Sequence, residues 1–376
     1  MTGLSAENKF RDVFNERIIT SFASDIKNVW HNFDEKGFLS EIILDLERLG
    51  FKERSDLIRD KLAKYLPDNF EKAVDILLKS LRSELNNFGD IKTNWDGFII
   101  LPQTSFVAKY GRSHFELSMG ALYEMTKRLS AENDLRTFIE VDFTRSMRIL
   151  YNWCEDKNHH IRRLVSEGTR SRLPLAGRIK RFQEDPLPVI DLLEKLKDDH
   201  SLYVRRSVAN NINDIAKDNP DIAVYTLQRW NLSSSEKVKW VVRHASRNLI
   251  KKGNLEILKM FGCEIDAKIE VSKFICDPDK QRIGRDLRFY FDLESKSEED
   301  QKLIIDFVVY FKKDSGKNLP KVFKLKKLIL KSQEKVKISK KLSLKHSSTR
   351  NIYSGQHWIE ILVNGKSHSK EFFEVI

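Results

Sequence analysis

From the start of the chain to about residue 264, apolar residues recur at intervals of three and four, the spacing of amphipathic helices. In FKERSDLIRDKLAKYL, Leu57, Ile58, Leu62 and Tyr65 form one stripe that stops before Pro67. Asp68 followed by Glu71 has capping-box spacing and predicts a helix over FEKAVDILLKSL. Ser233 and Glu236 give the same signal ahead of EKVKWVVRHASRNLIKK, which Gly253 is placed to end. After about residue 266 the pattern changes. Segments such as KIEVSKFI, DLRFYFDL, KLIIDFVVYFKK, KVFKLKKLIL, KVKISKKLSL and HWIEILV alternate or run short, are rich in Val, Ile and Phe, and are separated by turn-like residues. Asn364-Gly365 is a hairpin signal between HWIEILV and KEFFEVI. The expected architecture is a mainly α, HEAT-like helical-repeat solenoid over residues 1–264, followed by a small all-β, immunoglobulin-like sandwich over 265–376.

Three stretches of the helical region can be laid over one another: HHIRRLVSEGTR, LYVRRSVANNINDIAK and KWVVRHASRNLIKK. Arg163, Arg206 and Arg243 fall in register, 43 and 37 residues apart, within the range of two-helix repeats. Ile161 and Val165, then Val204, Val208, Ile212 and Ile215, then Val238, Val241 and Ala245 keep an apolar stripe expected to lie between neighbours. Arg163–Glu167, Arg206–Asn210–Asp214 and Arg243–Arg247–Lys251 climb a different face in steps of four. Stacked repeats would align those faces into a groove of guanidinium and ammonium groups, with Trp240 one turn before Arg243 and with Arg170 and Arg172 beside it. Such a groove suits a phosphate backbone. Glu167 and Asp214 interrupt it. Glu167 could simply hold Arg163 in an i,i+4 ion pair, whereas Asp214 has only Asn210 one turn before it.

Charge sharpens this picture. Lys and Arg number 67 against 55 Asp and Glu, a formal net charge of +12, and the pI is near 9.3. A polyanionic partner is implied. With 40% hydrophobic and 32% charged residues, the chain reads as an ordered, soluble protein without a membrane segment. Its beginning lacks the basic-then-apolar layout of a secretory signal, so a cytoplasmic location is expected. Cys154, Cys263 and Cys276 form no CxxC pair, which argues against a disulfide framework or zinc knuckle. The adjacent His159 and His160 point in different directions on a helix and make a poor metal site.

GxSxG, Walker, HExxH and glycine-rich dinucleotide signatures are missing, and no metal or cofactor is expected. Without a metal or nucleophile, a substrate already close to reacting is required. A base alkylated on a ring nitrogen is a cationic leaving group. Its glycosidic bond breaks through an oxocarbenium-like sugar, which a carboxylate and an aromatic face stabilise. Trp240 is a candidate for that face, with simple packing as its alternative role.

The stretch EDKNHHIRRLVSEGTRSRLPLAGRIKRFQEDPLPVIDLLEKLKDDHSLYVRRSVANNINDIAKDNPD, followed by KWVVRHASRNLIKKGN, resembles the AlkC branch of the AlkC/AlkD-type DNA alkylation repair glycosylases. The resemblance extends through TSFVAKYGRSHFELSMGALYEMTKRLSAENDLRTFIE and covers nearly the whole chain. It implies a HEAT-like solenoid that removes cationic lesions such as 3-methyladenine and 3-methylcytosine without a metal, and an immunoglobulin-like domain after it. Arg163 aligns with the active-site arginine of the AlkD-type helix. Glu132, in SAENDLR, lies where the family places an acidic residue at the start of a helix facing the lesion. The resemblance makes Glu132 the first candidate catalytic carboxylate, ahead of Asp214 and then Glu167. Asn210 falls where AlkD-type relatives carry an aromatic, Leu175 stands where AlkC relatives often have tryptophan, and SAENDLR departs from the commoner SAEFAIR.

Residues 317–345 hold eleven lysines and one acidic residue, Glu334, and alternation in KVFKLKKLIL would set several lysines on one sheet face. A lysine-rich edge protects against strand pairing, or it gives a second contact to DNA. The expected partner is double-stranded DNA containing alkylated bases, bound by a monomer. The competing reading is a non-catalytic HEAT-repeat DNA-binding protein, a lesion sensor or adaptor.

Overall fold

The computed structural model describes residues 12–84, 95–264, 266–347 and 350–376. The helical region opens with α1 (Glu16–Val29), α2 (Glu35–Leu46), α3 (Phe51–Tyr65) and α4 (Phe70–Lys79). It continues through α5 (Ile100–Tyr110), α6 (Phe115–Thr126), α7 (Leu135–Val141), α8 (Phe143–Trp153), α9 (His159–Gly168), α10 (Lys180–Glu184), α11 (Leu187–Leu196) and α12 (Leu202–Asp218). Then come α13 (Pro220–Asn231), α14 (Glu236–Ala245), α15 (Arg247–Lys251) and α16 (Leu255–Met260). Helices α1, α4, α6, α9 and α12 form one row in which each packs on the next, and α3, α5 and α7 pack in sequence beside it. This is the two-layered order of HEAT-like repeats. Among the described residues no helix is long and apolar enough to cross a membrane.

The stripe on α3 behaves as the periodicity predicts: Ile58 and Leu62 are buried, and the helix ends at Tyr65 before Pro67. Two caps differ by one or two residues. Asn69, not Asp68, caps α4, its side chain accepting the Lys72 N–H at 2.9 Å. Helix α14 starts at Glu236, and Ser235, not Ser233, caps it, its hydroxyl accepting the Val238 N–H at 3.5 Å. The helix expected over residues 236–252 is also two: Ser246 interrupts it, its hydroxyl donating back to the Val242 carbonyl at 2.8 Å. Gly253 ends α15 as predicted. It has φ +69°, and its N–H donates to the Ile250 carbonyl while that of Asn254 donates to Leu249.

All seven strand-like segments are strands: β1 (Ile269–Asp277), β3 (Asp286–Ser295), β4 (Gln301–Lys312), β5 (Asn318–Leu330), β6 (Lys335–Ser343), β7 (Gly355–Val363) and β8 (Lys366–Val375). A two-residue strand, β2 (Lys280–Gln281), joins β8 in parallel. Sheet orders β1-β3-β6 and β2-β8-β7-β4-β5 face one another across Phe289, Phe291, Phe307, Phe311 and Phe373. Asn364 (φ 48°) and Gly365 (φ 79°) make the β7–β8 turn, with both residues left-handed as a two-residue hairpin of the primed type requires. The lysines of β5 do not share one face. An irregularity between Ile305 and Asp306 shifts the register, so Lys324 and Lys327 lie opposite Asp306 and Ile304, while Lys326 lies opposite the core residue Ile305.

The chain divides into two compact units. The first runs to Pro220 and takes in Ser235–Val241; the second comprises Asp221–Ser234 and Val242–Ile376. In the second unit, Leu258 and Cys263 from the end of the helical region bury Ile304 on the outer side of the larger sheet.

Candidate active site

Three elements of the first unit build the site: α9, α12 and the turn Ala131–Asp134 ahead of α7. Asn158 starts α9 by accepting the His160 N–H at 2.8 Å. Gly168 lets its far end close on the turn, since a Cβ there would stand 2.7 Å from the Leu135 side chain. That close approach brings Glu132 to Arg163, with which it forms an ion pair.

From this pair an alternating charge ladder runs along α9. Arg163 lies 3.6 Å from Glu167, Glu167 2.6 Å from Arg170, Arg170 2.7 Å from Asp214, and Asp214 2.8 Å from Lys217. The three candidate carboxylates are thus linked through two arginines. Glu167 and Asp214 are 6% and 1% exposed, and Arg170 is 9% exposed. The Ser207 hydroxyl donates to Glu167 at 2.5 Å. Burial alone would raise the Glu167 pKa, but Arg163 and Arg170, with the Ser207 hydroxyl, outweigh it and hold the carboxyl below its ordinary value. For Arg163 the balance runs the other way round: burial works against the cation, and Glu132, Tyr203 and Glu167 hold its pKa above the ordinary value.

The residues of α12 that meet α9 are Tyr203, Ser207, Asn211 and Asp214. This corrects the face drawn from Arg206, Asn210 and Asp214. Steps of four over-rotate a 3.6-residue helix, by about 80° over eight residues. The line therefore runs from exposed Arg206 through half-buried Asn210 to buried Asp214. Arg163 and Arg206, aligned in the sequence, are placed differently. Arg163 is engaged by carboxylates, whereas Arg206 is exposed with no ion pair or hydrogen bond among the described residues.

Arg172 donates through Nε and Nη2 to Asp218 at 2.8 and 2.5 Å. Trp240 is half-buried, its ring centroid 6.0 Å from the Arg205 guanidinium carbon. Arg243 and Lys251 are exposed and Arg247 half-buried, its guanidinium donating to the His244 carbonyl; all three lie in the second unit. Leu175 is 97% exposed and adopts φ 63°.

Sequence reasoning missed Tyr203 and Arg136. The Arg163 guanidinium carbon stands 4.9 Å from the Tyr203 ring centroid. Arg136 is buried and donates to the carbonyls of Gly168, Arg170 and Gly177, pinning the loop after α9. Spacing could have found Tyr203, which precedes Ser207 by four residues and Asp214 by eleven, multiples close to whole turns. No local signal marks Arg136, whose acceptors are carbonyls 32 to 41 residues away.

A HEAT-like helical repeat carrying a buried carboxylate–arginine ladder, joined to an immunoglobulin-like sandwich, defines the class. Residues 270–376 match a family described as the C-terminal Ig-like domain of the uncharacterised protein YhaZ. The whole chain is 32% identical over 366 residues to the uncharacterized protein YhaZ of Bacillus subtilis (strain 168), covering 97% of this chain and 99% of that one. The structure of Pseudomonas fluorescens alkylpurine DNA glycosylase AlkC, bound to DNA containing an abasic site analog, superposes with a TM-score of 0.90 at 34% identity, covering 98% and 99% of the two chains. The chain belongs to the AlkC-type branch of the AlkC/AlkD HEAT-like repeat superfamily.

Proposed function

We propose that this protein is a DNA glycosylase of base excision repair that hydrolyses the N-glycosidic bond of cationic alkylated bases, 3-methyladenine and 3-methylcytosine among them. The observation that carries the proposal is the joining of Glu132, Glu167 and Asp214 by Arg163 and Arg170 into one array, in a chain this similar to AlkC. Glu132 is the most accessible of the three, its side chain 23% exposed against 7% for Glu167 and 1% for Asp214. It is therefore the carboxylate assigned to the developing sugar cation, with Asp214 and Glu167 setting the field behind it. Arg163 and Arg170 are assigned to holding the carboxylates, and exposed Arg206, Arg243 and Lys251 to DNA phosphates. Arg247, Arg172, Asn210 and Trp240 remain candidates for contacts beside them. The proposed partner is alkylated duplex DNA, bound by a monomer.

The test is incubation with methylated duplex DNA, following free 3-methyladenine, 3-methylcytosine and 7-methylguanine and the alkali-labile abasic sites left behind. Release of the first two supports the reading, and no release of any base overturns it. One observation favours a non-catalytic DNA-binding protein instead: each carboxylate of the ladder already has a cationic partner. Tight binding without base release selects that alternative.

A further inference from the structure

Tyr203 stands in the first turn of α12, where its ring meets a single stripe of α9. Its centroid lies 6.0 Å from the His159 ring and 5.8 Å from the His160 ring, both nearly edge-on, and 4.9 Å from the Arg163 guanidinium carbon. His159 and His160 stand four and three residues before Arg163, and their rings lie 4.2 Å apart rather than pointing in different directions as expected, so both brace the Tyr203 ring from the turn before the arginine. Arginine is long and has many rotamers. Glu132 and Glu167 draw Arg163 from two different elements, one through Nη1 and the other through Nη2.

We propose that Tyr203 is a positioning residue for the reaction inferred above, its ring clamping the Arg163 guanidinium against Glu132 and Glu167 so that both carboxylates stay aimed. The assignment rests on the glycosylase reading for its catalytic meaning, but the clamp itself is a property of the folded chain. Burial pushes the Tyr203 hydroxyl up to about 12, Arg163 opposes that, and Glu132 and Glu167 reinforce it. The phenol therefore stays neutral and adds no further anion to the array. The charged and titratable groups around the clamp come from every neighbouring element. They are His159, His160, Arg163, Glu167 and Arg170 from α9 and its end, Asp214 and Lys217 from α12, Glu132 from the turn, and Arg136 from α7.

The experiment compares Tyr203→Leu and Tyr203→Phe in the full chain, reading the Glu167 carboxyl by NMR titration and base release by kcat and KM. Loosening Arg163 removes a cation from Glu167, so the Leu variant should titrate higher, by about one pH unit. Its kcat should fall about tenfold with KM within about twofold of the parent. The Phe variant keeps the ring and loses only the hydroxyl that accepts from Arg163, so it should restore most of both. Should Tyr203→Leu fail to fold, Tyr203→Met fills the volume without a π face and takes its place. The proposal is overturned by an unchanged titration in the Leu variant, by a loss confined to KM, or by equal losses in Leu and Phe. If the parent protein releases no base, the glycosylase reading fails by itself, and the titration still decides the clamp.

Discussion

Glu167 shows how much the ladder depends on single charges. It is 6% exposed, yet ionised, because Arg163 and Arg170 flank it. Removing one member of a buried ion network costs about 3–5 kcal/mol. Glu167→Gln should therefore lower stability at pH 7 by about 3 kcal/mol, read as a drop in the denaturant midpoint. The sign of the pH dependence follows from its depressed pKa. The Glu167 contribution is fully present above its unfolded-state pKa and is lost as pH falls through the lower folded value. The stability gap between parent and Gln variant should therefore begin to narrow below about pH 4 and close once pH has fallen past the lower folded value. A gap that persists unchanged at acid pH would show that Glu167 acts by packing.

The strands of the sandwich were legible because each is long enough to show alternation and is bounded by turn residues. Two-residue β2 has no period to detect. The ladder was only half legible. Arg163–Glu167 is a local i,i+4 pair, but Glu132–Arg163 and Arg170–Asp214 join residues 31 and 44 apart, set by how α9 packs. Ser246 splits the last long helix because its hydroxyl competes for a backbone carbonyl, something a hydrophobic stripe does not register. The turns carry their own test. A Cβ on Gly365 would stand 2.4 Å from the Gly253 Cα, and one on Gly253 would stand 3.2 Å from the Gly365 Cα, both at positive φ. Gly365→Ala should lower stability by about 2 kcal/mol or more, and Gly253→Ala by about 1 kcal/mol. Thermal melts showing the reverse order would contradict that close approach.

Over the whole molecule, charge and the division into units guide how DNA binding is tested. Residues 242–264 group with the sandwich, and Ile304 is buried by Leu258 and Cys263, so truncation at residue 266 would expose apolar surface. Neutralising lysines in the intact chain is cleaner. Lys326, Lys340 and Lys345 are exposed. If the sandwich binds phosphates, changing all three to Gln weakens binding and makes the salt slope shallower by about 0.9 for every phosphate left without its cation. An unchanged slope assigns these lysines to guarding the sheet edges. If the ladder's carboxylates do chemistry rather than hold arginines, single-turnover release of 3-methyladenine by Glu132→Gln, Asp214→Asn protein saturated with DNA should fall at least about a hundredfold, with DNA affinity within a few-fold of the parent. Full-rate release from that variant would mean that the carboxylates only hold the arginines.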